Sequence, residues 1–276
     1  MKKHFKLIVI TSSIIFSAIF PSASWAVTVL QEIQQTGVLK VGIRKDSMLF
    51  GFENGSGSWT GYCVGFANSL ANSLSRQLNT SVSVKAVLST IQTRESIVRN
   101  GLAHIECGPN TISREKEVER GIKYSSAFFI TGTQFIVRTA NVNANLRNGT
   151  LGVFQGATNL RAVTQVFPNT EIQQFAERSQ GVSAVRNGQI TAFAGDSILL
   201  IGEAIRQEWD SKSFEIVPNQ PLSCDYYGMI LPVNDSQWEN TVNSFIVSSQ
   251  GLDVWKTWFG GLTPYLKGTL DYCKSR

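Results

Sequence analysis

Apolar residues recur along the chain in two periods, one typical of strands and one typical of helices. Short apolar runs predict strands at 38–43, 82–88, 103–106 and 133–138, and helical spacing predicts helices at 64–78 and 94–100. The pattern then restarts, with strands at 151–154, 171–175 and 190–194 and helices at 158–166, 182–187 and 196–209. Strands that alternate with helices are typical of a parallel sheet, whose ligand sites lie at the carboxyl ends of its strands.

A short internal repeat divides this pattern into two similar units. Val98-Arg99-Asn100-Gly101 precedes the predicted strand at 103–106, and Val185-Arg186-Asn187-Gly188 precedes the one at 190–194. Both units run from a helix through a glycine into a strand and then a turn of small residues. The repeat predicts two α/β lobes whose turns line a common cleft, an arrangement that suits closure around a small ligand.

The first 26 residues have the order of a secretory signal peptide. Lys2, Lys3 and Lys6 precede a mostly apolar run of 14 residues, and small residues flank a cut after Ala26. A membrane anchor, the alternative, needs about 20 apolar residues, and no cysteine at the cut could carry a lipid. We therefore expect an exported protein that begins at residue 27; the resemblance described below implies that it is periplasmic.

The histidine count discourages catalysis. Of the two histidines, His4 lies in the predicted signal peptide, so the exported protein keeps only His104. One imidazole excludes a zinc site built from several histidines and leaves a catalytic triad one place for its base. His104 falls within a predicted strand, where packing is the more common role. We expect no cofactor and no enzyme activity.

The net charge of +5 shrinks when the signal peptide is removed. Three lysines and no acidic residue leave with it, so 22 basic residues face 20 acidic ones and the net charge is +2. This small excess gives no reason to expect a nucleic-acid surface. The chain of 276 residues is long enough for two domains with sizeable cores.

All four cysteines lie after the signal peptide, and an even number in an oxidising compartment predicts disulfides. Four cysteines allow three pairings. We favour Cys63–Cys107 and Cys224–Cys273, because each pair then closes a loop within one predicted lobe. Buried free thiols are the alternative.

Charged and polar residues follow several predicted strands. Arg44, Arg94 and Arg114 follow strands of the first unit, Thr158 begins a helix after a Gln-Gly-Ala turn, and Asp196 ends a strand. Guanidinium groups and free N–H groups bind carboxylates, and a carboxylate binds an amine. Each arginine could instead be a surface residue, and Thr158 and Asp196 could be helix caps. Taken together, the set is the complement of an amino acid.

Longer stretches of the sequence resemble the family-3 extracellular solute-binding proteins, the periplasmic amino-acid receptors of ABC importers. The resemblance covers roughly residues 36 to 260 and rests on the order and spacing of six segments: VLKVGIRKDSMLFGF (38–52), WTGYCVGFANSLA (59–71), VRNGLAHIECGPNTISR (98–114), YSSAFFITGTQFIV (124–137), LGVFQGATN (151–159) and NGQITAFAGDSILL (187–200).

The resemblance implies the fold and the lobes. Members have a type II periplasmic-binding-protein fold, an α/β fold in which each of two lobes is a mostly parallel sheet flanked by helices. The chain crosses between the lobes twice. We therefore expect lobe 1 at 27–133 plus 223–276 and lobe 2 at 134–222.

The resemblance also implies which residues hold the backbone groups of an amino acid. Arg114 would clamp the α-carboxylate together with Thr158. Because the segment after Arg114 is longer than usual in the family, Arg120 or Lys116 stays an alternative clamp. Asp196 would take the α-ammonium.

Further ligand contacts are implied around these groups. Backbone carbonyls near Gly108 would assist Asp196, and Thr111 lies in the same ligand-binding segment. Within the family the sequence looks most like the glutamate/aspartate receptors, in which two arginines contact the side-chain carboxylate.

In this sequence those two arginines are Arg44 and Arg94. Phe50 or Phe52 would form an apolar wall, and Arg178 is a further contact.

The function implied is capture of an amino acid, expected to be glutamate or aspartate, and its delivery by a monomer to an ABC permease. A polar or neutral amino-acid receptor of the same family is the alternative. A dehydratase or peptidoglycan lyase on this scaffold would need an acid/base in the cleft, and a sensor would be joined to a membrane span. Neither of these last two is favoured.

Overall fold

The structure, a computed structural model, describes residues 27–54 and 56–275. The predicted signal peptide and its cut after Ala26 lie outside the described residues. The strands of the described part are β1 (Val38–Arg44), β2 (Asp46–Ser47), β3 (Gly51–Glu53), β4 (Trp59–Thr60), β5 (Ser83–Ser89), β6 (Ile105–Cys107), β7 (Lys123–Tyr124), β8 (Phe129–Thr131), β9 (Thr133–Arg138), β10 (Leu151–Phe154), β11 (Ile172–Phe175), β12 (Ala192–Asp196), β13 (Phe214–Val217), β14 (Asp225–Tyr227) and β15 (Ile230–Leu231).

Helices surround these strands. They are α1 (Val29–Thr36), α2 (Tyr62–Leu78), α3 (Arg94–Arg99), α4 (Arg114–Arg120), α5 (Asn159–Val166), α6 (Arg178–Arg186), α7 (Ser197–Arg206), α8 (Ser236–Ile246), α9 (Ser249–Phe259) and α10 (Thr263–Lys274). Short 3-10 turns lie at Thr139–Asn141, Leu146–Asn148 and Gly260–Leu262.

Two five-stranded sheets with the same pattern of directions form the two lobes. The first has the order β5-β1-β6-β15-β7 and the second β11-β10-β12-β9-β13. In each sheet the first three strands are parallel, and the fourth is antiparallel to both of its neighbours. Four of five strands therefore run in one direction, which confirms the predicted two-lobe α/β fold.

The internal repeat occupies equivalent places in the two lobes. Gly101 follows α3 with φ 70°, and Gly188 follows α6 with φ 73°. This left-handed conformation favours glycine, which explains why both helices stop there. The next strands, β6 and β12, are each the third strand of a sheet. Pro109 and Thr111, which follow β6, and Asp196, which ends β12, line the same space between the lobes.

Apolar side chains form a large core in the first lobe and a layer on each face of the second sheet. The first-lobe core joins α2 and β1 to the C-terminal helices α8 to α10, for which the sequence pattern had predicted no elements. Ile198, Leu199 and Ile201 of α7 also belong to this core, whereas Leu200 packs within the second lobe. Helix α7 therefore packs against both lobes, and the lobes are in contact.

The crossings between the lobes lie beside the antiparallel pair β8 and β14. At this hinge, the hydroxyls of Thr131 and Ser197 are hydrogen-bonded at 3.1 Å. The strands of the first sheet lie between Val38 and Tyr124, with β15 added from the C-terminal part of the chain. The strands of the second sheet lie between Thr133 and Val217. The lobe boundaries at 133/134 and 222/223 stay a prediction.

Most predicted elements are present, and the differences fall at their ends. Helix α6 begins at Arg178, four residues before the predicted start at 182. The first turn of α6 has few apolar residues, so the apolar periodicity does not reveal it. This turn still packs against the sheet: Gly181 is buried, and a Cβ at this position would collide with the Phe193 ring. Strand β12 runs through Gly195 to Asp196 because both residues pair with the antiparallel strand β9 and are buried.

Both favoured disulfides are present. Cys63 at the start of α2 is bonded to Cys107 at the end of β6, and Cys224 beside the hinge is bonded to Cys273 in α10. The four thiols that the sequence offers are therefore all paired.

In the described part of the chain, none of the helices has both the length and the apolar character needed to cross a membrane. The same residues contain no group of three or more His, Cys, Asp or Glu side chains that could hold a metal ion.

Candidate functional site

A small cavity lies where the carboxyl ends of β6 and β12 face each other. It has a volume of about 30 Å³, which is room for little more than a water molecule. The first lobe contributes Arg44, Arg94 and Thr111 to its lining, and the second contributes Thr158, Arg178 and Asp196. Six residues predicted from the sequence are thus brought together around one inner cavity, in a closed arrangement of the lobes.

A wider outer cleft of about 480 Å³ adjoins the inner cavity. Arg44, Ile91 and Arg178 line both spaces, so they mark the border between them. The outer cleft carries charges of both signs, including Asp46, and Phe52 is part of its wall.

Arg44 ends β1 with its side chain almost fully buried, at 2% exposure. Its guanidinium binds the Asp46 carboxylate with two hydrogen bonds, Nε to Oδ1 at 2.7 Å and Nη2 to Oδ2 at 2.5 Å. This is the bidentate geometry that a ligand carboxylate would adopt. One edge of the Arg44 guanidinium is therefore already occupied by a carboxylate of the same chain.

Arg94 belongs to a buried polar network beneath the inner cavity. Its Nη1 donates to Oδ1 of Asn110 at 3.1 Å, and Nδ2 of Asn110 donates to Oε2 of Glu106 at 2.5 Å. The hydroxyl of Ser89 donates to the other Glu106 oxygen at 2.8 Å. The network holds Arg94 at the cavity wall, and its amide and hydroxyl groups satisfy the buried carboxyl.

Glycines leave the room that Glu106 needs. A Cβ at Gly42 would lie 2.7 Å from Cγ of Glu106, and one at Gly108 would lie 2.9 Å from its Oε1. Burial raises the pKa of Glu106, although its hydrogen bonds and the attraction of Arg44 and Arg94 act in the opposite direction. Gly108 therefore supports the network, and it is not among the residues that line the inner cavity.

Asp196 ends β12, and each of its carboxylate oxygens has a polar partner. It accepts hydrogen bonds from Nδ2 of Asn159 at 2.6 Å and from the hydroxyl of Tyr227. Burial raises the pKa of Asp196 despite these bonds and the attraction of Arg178. Burial and repulsion by Asp196 also raise the pKa of Asp225 to about 7. A cation in the inner cavity would stabilise the ionised carboxylate of Asp196.

Thr158 precedes α5, after the turn in which Gly156 has φ 78°. Neither Thr158 nor Asp196 makes a side-chain capping bond to the helix that follows it. Both side chains line the inner cavity, so the alternative interpretation of these residues as simple caps is not what the structure shows.

The three candidate α-carboxylate clamps do not line either space. Arg114 is the exposed first residue of α4, Arg120 is its exposed last residue, and Lys116 lies half-buried between them. Ser113 caps this helix by accepting from the Lys116 N–H at 3.3 Å, and Arg114 therefore begins it on the solvent side. The structure thus corrects the expectation that Arg114 lies in the cleft.

Two other predicted positions also differ from expectation. Phe50 is buried in the first-lobe core, where its ring contacts Phe129 and Tyr227, and it does not line the cavity. Of the two candidates for an apolar wall, only Phe52 reaches the cleft. His104 is packed as expected: its Nδ1 accepts from the Lys40 N–H at 3.2 Å at the amino end of β6.

Several important residues were missed by the sequence analysis. Asp46 follows Arg44 at the two-residue spacing that places side chains on one side of an extended chain, a signal that could have been used. Asn110, Asn159 and Tyr227 carry no local signal, because their roles depend on partners 4 to 37 residues away in Glu106, Arg94 and Asp196.

Known proteins similar to this chain are amino-acid solute-binding proteins. The chain is 25% identical to the glutamate/aspartate import solute-binding protein of Escherichia coli strain K12 over 246 residues. The aligned region covers 86% of this chain and 80% of that protein. The chain is 24% identical to the L-glutamate/L-aspartate-binding protein of Pseudomonas aeruginosa, over 83% and 79% of the two chains. It is 28% identical to the glutamine-binding protein of Geobacillus stearothermophilus, over 63% and 67%. No family model matches.

Solved structures share the fold. An ancestral amino acid-binding protein, a precursor of cyclohexadienyl dehydratase, superposes with a TM-score of 0.70 at 21% identity, over 83% of this chain and 99% of that one. The solute receptor for L-cysteine of Neisseria gonorrhoeae has a TM-score of 0.69 at 20% identity, over 86% and 94%. The sequence relatives confirm the resemblance to the family-3 solute-binding proteins, and the solved structures confirm the fold.

Proposed function

We propose that this chain, a relative of the solute-binding proteins of amino-acid importers, captures an amino acid between its two lobes and delivers it to a membrane ABC permease. The observation that carries the proposal is the convergence of three arginines and one aspartate from both lobes on the inner cavity, which must widen from about 30 Å³ to admit the backbone groups of an amino acid. Such a set complements one ammonium and two carboxylates.

The two connected spaces suggest how the ligand is oriented. Asp196 takes the α-ammonium, and Arg94 with Thr111 and Thr158 takes the α-carboxylate, because these four residues line the inner cavity alone. The ligand side chain points toward the border with the outer cleft, where Arg44 and Arg178 lie and Phe52 is close by. Arg94 thereby takes the role that the sequence had assigned to Arg114.

Closure of the lobes provides the binding energy in this proposal. Contacts from both lobes can stabilise only the closed form, so the ligand shifts the equilibrium toward it. A hydrogen bond to a charged group contributes about 1.5–3 kcal/mol, and micromolar affinity requires about 8 kcal/mol. Three or four such contacts are sufficient after the cost of ordering.

We propose an acidic ligand, glutamate or aspartate, because Arg44 and Arg178 together border the place of the side chain. A neutral polar ligand such as glutamine is the second candidate. It is favoured by one specific observation, the neutralisation of Arg44 by Asp46.

The predicted signal peptide and the import function named for the Escherichia coli relative support a periplasmic location. The closed form, a monomer, would dock on the permease. We propose no enzymatic reaction, since the curated relatives named above are binding proteins.

Calorimetric titration of the purified protein, residues 27–276, with the twenty amino acids tests the proposal. We expect saturable binding of glutamate or aspartate, and at least tenfold weaker binding of every amino acid by Asp196→Asn. Asp253→Asn removes the same charge at an exposed position on α9 and should bind as the wild type does. If none of the twenty amino acids binds, the proposal is wrong; if only a neutral or basic one binds, the acidic assignment is wrong.

A further inference from the structure

Asp46 is the point at which cations from the two lobes converge. Its carboxylate accepts the bidentate pair of hydrogen bonds from Arg44 of the first lobe. Arg178, at the start of α6 in the second lobe, donates from Nη1 to the Asp46 carbonyl oxygen at 2.8 Å and lies 3.8 Å from Oδ2. One aspartate therefore connects the lobes through two guanidinium groups.

The same two arginines border the place of the ligand side chain. Arg44 and Arg178 line both the inner cavity and the outer cleft. The Arg178 guanidinium is also held 5.1 Å above the Phe154 ring, a cation–π contact that fixes its position. Asp46 thus stands where an acidic ligand would place its own carboxylate between the lobes.

We infer that Asp46 ties the lobes together in the ligand-free protein, chiefly through its carbonyl oxygen, and that its carboxylate lowers the affinity for ligands with an acidic side chain. This inference rests on the proposed function for its ligand-related part. The bridge between the lobes is independent of any ligand.

The state of Asp46 suits a carboxylate that can be displaced. Burial acts to raise its pKa, but attraction to Arg44 and Arg178 and the hydrogen bonds from Arg44 outweigh burial, so the pKa lies below its ordinary value. Asp46 is therefore ionised at neutral pH. The Asp46 side chain is 37% exposed to solvent, whereas the Arg44 side chain is 2% exposed. Water can therefore solvate the Asp46 carboxylate when another group binds Arg44.

Discrimination between ligands follows from this competition. An acidic side chain competes with Asp46 for the guanidinium groups of Arg44 and Arg178, and it brings a second carboxylate next to the first one. A neutral amide leaves the Arg44–Asp46 pair intact. Asp46 therefore penalises glutamate relative to glutamine, two ligands of almost equal size.

The first test measures the affinities for glutamate and glutamine in the wild type, in Asp46→Asn and in Asp253→Asn, which is the control for loss of one surface charge. We expect Asp46→Asn to shift the ratio of the two affinities toward glutamate by tenfold or more, and Asp253→Asn to leave it unchanged. The ratio cancels any change in closure that affects both ligands alike. A ratio within twofold of the wild-type value in Asp46→Asn would overturn the inference.

The second test uses no ligand. Small-angle X-ray scattering of the ligand-free protein should give a larger radius of gyration for Arg178→Gln than for the wild type and Asp253→Asn. Asp46→Asn keeps the carbonyl oxygen that accepts from Arg178, so it should open the protein less than Arg178→Gln does. If Arg178→Gln scatters like the wild type, Asp46 does not tie the lobes together. If the wild type binds no amino acid, the proposed function fails, and the scattering still decides whether the bridge exists.

Discussion

The hydroxyl of Tyr227 donates a hydrogen bond to the Oδ2 carboxylate oxygen of Asp196, and both side chains are buried. Tyr227 belongs to the hinge pair of strands, and Asp196 ends the central strand of the second sheet. Nδ2 of Asn159 donates to the other oxygen, Oδ1. The hinge and the second lobe together therefore fix the carboxylate that we propose for the ligand ammonium.

Replacing Tyr227 by phenylalanine should destabilise the protein by about 1–3 kcal/mol. The variant removes the hydroxyl donor and leaves a buried carboxylate oxygen without this hydrogen bond. The loss of a hydrogen bond to a charged group lowers the free energy of unfolding by about this amount. Urea unfolding measures the change. Tyr226→Phe is a matched control, because the Tyr226 hydroxyl donates to the Cys273 carbonyl at a partly exposed position. A Tyr227→Phe variant no less stable than Tyr226→Phe would contradict the role of this bond.

Asp225 predicts a pH dependence of stability. Its pKa in the folded protein is raised to about 7 by burial and by repulsion from Asp196, whereas an unfolded aspartate has a pKa of about 3.9. When the pH lies between these two pKa values, Asp225 is protonated in the folded state and ionised in the unfolded state. The contribution of Asp225 is thus greatest below about pH 4 and is lost as the pH rises to about 7, by up to about 1.4 kcal/mol per pH unit.

Urea unfolding of the wild type and of Asp225→Asn across pH 5 to 8 checks this sign. The stability of the wild type relative to the variant should fall as the pH rises. The same comparison with Asp253→Asn should show no such trend, because that carboxylate is exposed on α9. A wild-type advantage that grows with pH would mean that Asp225 is ionised in the folded protein.

Arg94 and Arg114 give opposite predictions for ligand binding. Arg94 is buried at the inner cavity and Arg114 is exposed on α4. Replacing Arg94 by glutamine should weaken every amino acid that binds by about tenfold to a hundredfold, the effect of losing one charged hydrogen bond. Replacing Arg114 by glutamine should change the affinity by less than twofold. Calorimetry of both variants decides, and the reverse order would restore Arg114 as the clamp.

The fold could largely be predicted because it depends on local periodicity. Apolar runs are sufficient to locate β1, β9 and β10, and glycines at 101 and 188 mark the ends of two helices. The small strands β2 to β4 and the pair β8 and β14 were missed. They are two or three residues long, too short to show a period of two.

The site could be predicted in part, for a physical reason. Residues at the ends of buried strands, such as Arg44 and Asp196, are placed by the sheet itself and were found from the pattern. The position of Arg114 depends instead on how α4 is oriented after its cap at Ser113, and no periodicity encodes that. The bond between Asp196 and Tyr227 joins residues 31 positions apart, so it follows only from the tertiary structure.

The two disulfides predict nearly equal losses of stability when they are removed. Cys63–Cys107 and Cys224–Cys273 close loops with sequence separations of 44 and 49 residues. In the chain-entropy description, loops of this length each stabilise the folded state by about 4 kcal/mol, because they restrict the unfolded chain. Replacing each pair by two alanines avoids leaving hydroxyl groups in sites that are buried at Cys63, Cys107 and Cys273. Urea unfolding of the two double variants should give losses that agree within about 1 kcal/mol. A much larger loss for the Cys224–Cys273 pair would mean that this bond also stabilises the folded state by holding α10 against the hinge.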